Sequence, residues 1–120
     1  YTGEFTLKSG EDSIRHMCEM EQMPTAILSQ NNMMTVGILK ELRRNMIRIP
    51  EDISLVSYDG INNMDLMMTR PTSASFDMAA IGERVGQSIL SRIKDPEMPN
   101  REYIFDPTIT PGNSLGIPRI

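Results

Sequence analysis

The stretch Pro24–Gly60, "PTAILSQNNMMTVGILKELRRNMIRIPEDISLVSYDG", decides the fold. It opens on a short, apolar, β-compatible run, "TAIL" (Thr25–Leu28), and passes through the polar "SQNN". Val36, Leu39, Leu42 and Met46 then recur at helical spacing. The turn "IRIPED" leads to a second apolar run, "SLVS" (Ser54–Ser57), which ends on Tyr58, Asp59 and Gly60. Strand, helix and strand in this order form the unit of a parallel sheet, because parallel neighbours need a crossover between them.

Outward from this unit the pattern continues. Upstream, "YTGEFTLKSGED" is polar and turn-like. Ser9 and Asp12 make an S-x-x-D capping pattern before Ile14, Met17 and Cys18, which share a helical face. The helix is expected to end near Met20, before Pro24. Downstream, "INNMDLMMTRP" is irregular, and Thr72–Ser75 reads as a further short strand. Ile81, Val85 and Ile89, each four apart, mark a helix ending near "KDPEMPN". "EYIF" and "TIT" are expected as short strands around Pro107. Helices alternating with short strands indicate an α/β architecture with a mostly parallel sheet. A complete doubly wound domain needs five or six strands with both faces covered, and four or five short ones are legible. With no Met at its start, the chain reads as a piece of a larger unit.

Composition narrows the function. A net charge of −4 excludes an electrostatic nucleic-acid surface on this segment. One cysteine, Cys18, excludes a disulfide framework and a cysteine zinc site, and its apolar neighbours suggest a core thiol. There is no apolar run long enough to span a membrane. His16, the only histidine, reads as a surface residue on the first helix. Nucleophile-elbow, zinc-protease and P-loop patterns are missing. Most of the eleven methionines are expected in the core, while Met64, Met67 and Met68 fit a core or a subunit contact.

Ligands of open parallel sheets bind beyond the carboxyl ends of the strands. Two such ends carry polar groups: Ser29–Asn32 after the first strand and Asp59 after the second. An amide and a carboxylate together suit a polyhydroxylated ligand. The plainer alternative is that Asn31 or Asn32 caps the following helix and Asp59–Gly60 makes a turn. A phosphoryl-accepting role for Asp59 would need Mg²⁺ and a second acid, and Tyr58 and Gly60 flank it instead.

The quoted stretch resembles the lactose/galactose-repressor family of bacterial transcription regulators. Their usual wording is an apolar strand, Asn-Asp, a helix containing "GAL…L", a "PEDISVVGYDD"-like strand, and a crossover containing Pro and Thr. The resemblance runs from "GEFTLKSG" to "PTITPGNS". It implies a type I periplasmic-binding-protein-like α/β core, two lobes around a cleft, incomplete in this chain. Residues 1–73 would belong to the C-terminal lobe. Residues 74–106 would hold a hinge crossover plus a helix and a strand, near Tyr103–Phe105, of the N-terminal lobe. Residues 107–120 would return across the hinge.

By position, Asp59 matches the family's hydroxyl-binding aspartate and Asn31 its cleft asparagine. Phe5 falls where an aromatic packs on the ligand, and Phe76 where many members have a ligand-contacting glutamine. Three departures stand out: Asn32 where Asp is usual, Ser57 where Gly is usual, and Gly60 where a second Asp is common. Met33, Val36, Met64 and Met67 match dimer-contact positions. The resemblance implies a cytoplasmic homodimer that senses a small effector, a sugar or sugar derivative. DNA binding would lie in an upstream helix-turn-helix, with no cofactor, metal or membrane. A secreted sugar-binding protein of the same fold, serving transport, is the alternative reading.

Overall fold

Thr6 sets where the chain begins to fold. Its backbone is extended, its hydroxyl accepts the Ser9 amide at 3.1 Å, and helix α1 follows over Leu7–Cys18. The helix therefore starts ahead of the S-x-x-D pattern, because Thr6 takes the cap and places Ser9 inside the first turn. Strand β1 (Ala26–Ser29), helix α2 (Asn32–Arg44) and strand β2 (Ser54–Tyr58) come next. A 3₁₀ turn (Met64–Leu66), β3 (Thr72–Ser75), α3 (Met78–Lys94) and β4 (Thr108–Thr110) complete the order. This computed structural model describes residues 1–118, so positions 119 and 120 of the expected return segment lie outside the described residues.

The sheet has the order β1-β2-β3-β4, parallel from β1 to β3 and antiparallel between β3 and β4. Period-2 alternation turns Ile27, Ser29, Leu55 and Ser57 inward, and Ala26, Leu28 and Tyr58 to the opposite face. Helices α1 and α2 cover the inward face only. Ile14 of α1, Ile38 and Leu42 of α2, and Ile27, Ile53 and Leu55 of the sheet region make one cluster. On the other face Leu28 is 62% exposed and Ile109 61% exposed, although parallel sheets are normally covered on both sides.

The two helices touch through backbone. A Cβ on Gly10 would lie 2.2 Å from the Met34 carbonyl oxygen, and one on Gly37 would lie 2.0 Å from that of Leu7. Around this seam runs an ion-pair network: Arg15 Nε to Glu41 at 3.0 Å, Lys40 to Glu11 at 2.5 Å, and Arg44 to Glu41 at 3.1 Å. The tail ties β2 to β3 through their backbones. Ser114 donates to the Leu55 carbonyl at 2.5 Å and accepts the Thr72 amide at 2.8 Å.

Helix α3 differs from the rest. Asp77 caps it, yet among the described residues it buries none of its side chains and packs on no other helix or strand. Its neighbour is the 98–105 segment, where Arg84 stacks over the Tyr103 ring at 4.8 Å. The radius of gyration, 18.3 Å, exceeds the about 13–14 Å expected for a compact chain of this length.

Four expectations are corrected. "EYIF" forms no strand: among the described residues no strand pairs with it, and it runs beside α3 rather than along an edge of the sheet. Cys18 is exposed, since the buried line of α1 runs through Ser13, Ile14 and Met17 and the last helical residue turns off it. Met46 lies beyond α2, 87% exposed and at positive φ (56°). Of the methionines expected in the core, Met34 is buried and Met17 and Met23 pack half-buried against the core cluster, while most of the rest are exposed, because a one-sided sheet leaves little interior to fill.

Candidate effector-binding edge of the sheet

The carboxyl ends of β1, β2 and β3 lie side by side, with Ser29 opposite Ser57 and Tyr58 opposite Ala74. This register sets three of the four residues expected to bind ligand at adjoining strand ends. Asn31 follows β1, Asp59 follows β2, and Phe76 follows β3. Phe5, distant in sequence, joins them through its backbone: the Asn31 side-chain amide donates to the Phe5 carbonyl at 3.3 Å.

The cap and the cleft readings of Asn31 coexist in one side chain. Its Oδ1 accepts the Met34 amide at 2.8 Å, which makes it the N-cap of α2. With Nδ2 also engaged, one N–H and one lone pair remain for a ligand. Phe5 is held differently. The Glu4 amide donates to Ser9 Oγ at 2.9 Å and the Thr6 amide to the Glu4 carbonyl at 2.7 Å, so its backbone is pinned while the residue is 70% exposed.

Asp59 sits in the left-handed region, at φ 79°, which Asp tolerates better than most residues. Its amide donates to the Ala74 carbonyl at 2.7 Å, and one carboxylate oxygen accepts the Gly60 amide at 3.1 Å. The second oxygen is left to face outward from an exposed residue. Beside it, Tyr58 and Phe76 pack edge to face with centroids 6.0 Å apart. Tyr58, which stands beside these residues, was not singled out from the sequence. Period-2 counting would have found it, since it falls on the face opposite Ser57 and is 47% exposed.

The expected dimer contacts divide. Val36 and Met67 line one groove of 1320 Å³ of mixed character, with Leu39, Ile47 and Leu66 beside the charged Lys40, Arg43 and Arg48. Met33, at the exposed start of α2, and Met64 do not line it. Among the described residues no cluster of three or more His, Cys, Asp or Glu could hold a metal ion, and no helix is long and apolar enough to cross a membrane.

A mostly parallel α/β sheet with polar and aromatic groups at its strand ends has the layout in which ligands of open sheets bind. The chain belongs to the periplasmic binding protein-like domain family, whose model matches residues 2–115. Within it, the relatives are those of the lactose/galactose-repressor type. The HTH-type transcriptional repressor PurR of Vibrio atlanticus is 31% identical over 107 residues, covering 89% of this chain and 32% of the relative. That of Aliivibrio salmonicida is 27% identical, covering 96% and 34%. The crystal structure of a LacI family transcriptional regulator from Enterococcus faecium with bound ribose superposes with a TM-score of 0.82 at 20% identity, over 93% of this chain and 41% of that one. The chain thus spans about a third of the length of these repressors.

Proposed function

We propose that this chain is part of the effector-sensing core of a transcriptional repressor, and that a small ligand held at the sheet edge biases DNA binding carried by another segment. The observation that supports this is the convergence of Asn31, Asp59 and Phe76 at adjoining strand ends, with the Phe5 carbonyl held by Asn31. Asp59 would accept hydroxyl protons, Asn31 would contribute its remaining N–H, and the aromatics would cover an apolar sugar face. The repressor names of the relatives favour this over a secreted transport protein, and the bound ribose of one structural neighbour favours a sugar or sugar derivative. Such a module binds without catalysing and works in the cytoplasm.

The domain reading follows. Residues 1–73 belong to one lobe, 74–106 cross to another and contribute α3, and 107–120 return. The separation of α3 from the sheet body is what supports it. The groove holding Val36 and Met67 suits a homodimer contact extended by Met33 and Met64, because methionine packs adaptably.

Ligand binding to the folded state must raise its melting temperature. In the intact protein, one member of a panel of sugars, ribose included, is expected to raise Tm, and Asp59→Ala is expected to remove that shift while leaving the unliganded Tm within a few degrees. A variant that retains the full shift would sink the Asp59 assignment.

A further inference from the structure

Beneath the sheet edge lies a pair of hydroxyls with no solvent contact. Thr35 on α2 and Ser57 on β2 are both 0% exposed, and their oxygens are 2.7 Å apart. Thr35 Oγ1 is also 2.8 Å from the Asn31 carbonyl, and Ser57 Oγ is 2.8 Å from the Asp59 carbonyl. The line Asn31–Thr35–Ser57–Asp59 therefore joins the backbones of the two polar site residues.

Three contacts share two protons, so one of them is not a hydrogen bond. Lone-pair accounting selects which. The Asn31 carbonyl already receives the Thr35 amide at 3.0 Å and the Ser29 hydroxyl at 3.2 Å, so a third proton gains least there. The Thr35 proton is then best used on Ser57, and the Ser57 proton on Asp59. In that arrangement every buried hydroxyl is satisfied, and Thr35 polarises Ser57 toward a stronger donation. The recipient is a residue at φ 79°, whose other backbone tie is the hydrogen bond its N–H donates to the Ala74 carbonyl. Ser57 thus grips the one peptide of this edge that has left ordinary backbone geometry.

We propose that Ser57, polarised by Thr35, is a positioning residue that holds the Asp59 carboxylate at the effector site. The pair does the work that a glycine at position 57 could not, since a glycine offers no donor. This rests on the reading of Asp59 as a ligand-holding group, and its test is independent of any ligand.

The test is amide hydrogen exchange on the full chain. With Ser57→Ala, Thr35 can fall back on the Asn31 carbonyl, so no buried donor is stranded, while the Asp59 carbonyl loses its partner. Loss of one such bond predicts about five- to tenfold faster exchange at the Asp59 and Gly60 amides. Exchange at core amides such as Leu42 stays unchanged. Thr35→Val keeps the shape and leaves Ser57 donating to Asp59, so exchange at Asp59 changes by less than about twofold. Ser57→Gly removes the same hydroxyl without a side chain and gives the Ser57→Ala result should the alanine form fold poorly. Equal effects of Ser57→Ala and Thr35→Val at Asp59, no effect of either, or equal acceleration of Asp59 and the core amides would each overturn the proposal. Failure of the Asp59 reading itself would show instead in the sugar panel, with the exchange pattern intact.

Discussion

Helices α2 and α3 share their local grammar and differ in everything beyond it. Each is capped by a side-chain oxygen, Asn31 for α2 and Asp77 for α3, and each ends with basic residues in its last turn. Yet α2 sinks Ile38 and Leu42 to 2% and 1% exposure, whereas Val85, Ile89 and Ile93 of α3 stay at 51%, 55% and 70%. The difference lies in what each helix meets. Helix α2 joins two parallel neighbours and folds back on the sheet they make. Helix α3 leaves the sheet after β3 and returns only at β4, an antiparallel strand that does not oblige it to cover the face. An apolar stripe thus defines a surface that wants covering without saying what covers it.

The sharpest way to break this contrast is to truncate one apolar residue in each helix. Leu42→Ala removes a fully enclosed side chain from the cluster with Ile14, Ile38 and Leu55 and is expected to cost about 2–5 kcal/mol in urea unfolding. Ile89→Ala in the same chain is expected to stay within about 0.5 kcal/mol of wild type. A large loss from Ile89→Ala would mean that α3 is packed in solution, and the contrast would fall.

Next in size comes one substitution made in both helices, with opposite expected signs. Gly37→Ala drives a methyl into the Leu7 carbonyl, and the α1–α2 seam must open, at about 1–3 kcal/mol. Gly82→Ala on α3 meets nothing within 4 Å, so alanine's better helix propensity is felt alone. It is expected to stabilise α3 locally by about 0.5–1 kcal/mol. Because α3 has no partner helix or strand among the described residues, the gain should appear as stronger helical circular dichroism rather than a higher midpoint.

The same contrast explains what could be read ahead of the structure. Pro24–Gly60 was legible because its periodicities, its turn and its crossover length all agree with a single local packing unit. "EYIF" was not, because a β-compatible run becomes a strand only when the fold lays it along a sheet edge, and this one lies beside α3. Asp59 and Asn31 could be placed from strand ends alone, with Asn31 left between cap and cleft until its two hydrogen bonds showed that it serves the cap and the Phe5 loop together. Thr35 escaped notice since a threonine inside a helix usually needs no comment. The clue lay across the sheet, where Ser57 occupies an inward position and a buried hydroxyl there requires a partner.

The smallest effect concerns charge. Arg15, by a direct hydrogen bond, and then Arg44 hold the Glu41 carboxyl below its ordinary value of 4.5, and a hydrogen bond from Lys40 does the same for Glu11. A carboxyl depressed on folding contributes stability above its unfolded value, and that contribution is lost as pH falls through the folded one. Glu41→Gln should therefore lower the urea midpoint at neutral pH, and the gap to wild type should close as the pH drops well below 4.5. On α3, Glu83 bonds only its own helix, through Gln87 at 2.9 Å. Glu83→Gln should leave the neutral-pH midpoint unmoved. A neutral-pH loss confined to Glu41 ties the ion pairs to the α1–α2 seam, whereas an equal loss from Glu83 would mean that α3 is coupled to the fold by charge where packing does not couple it.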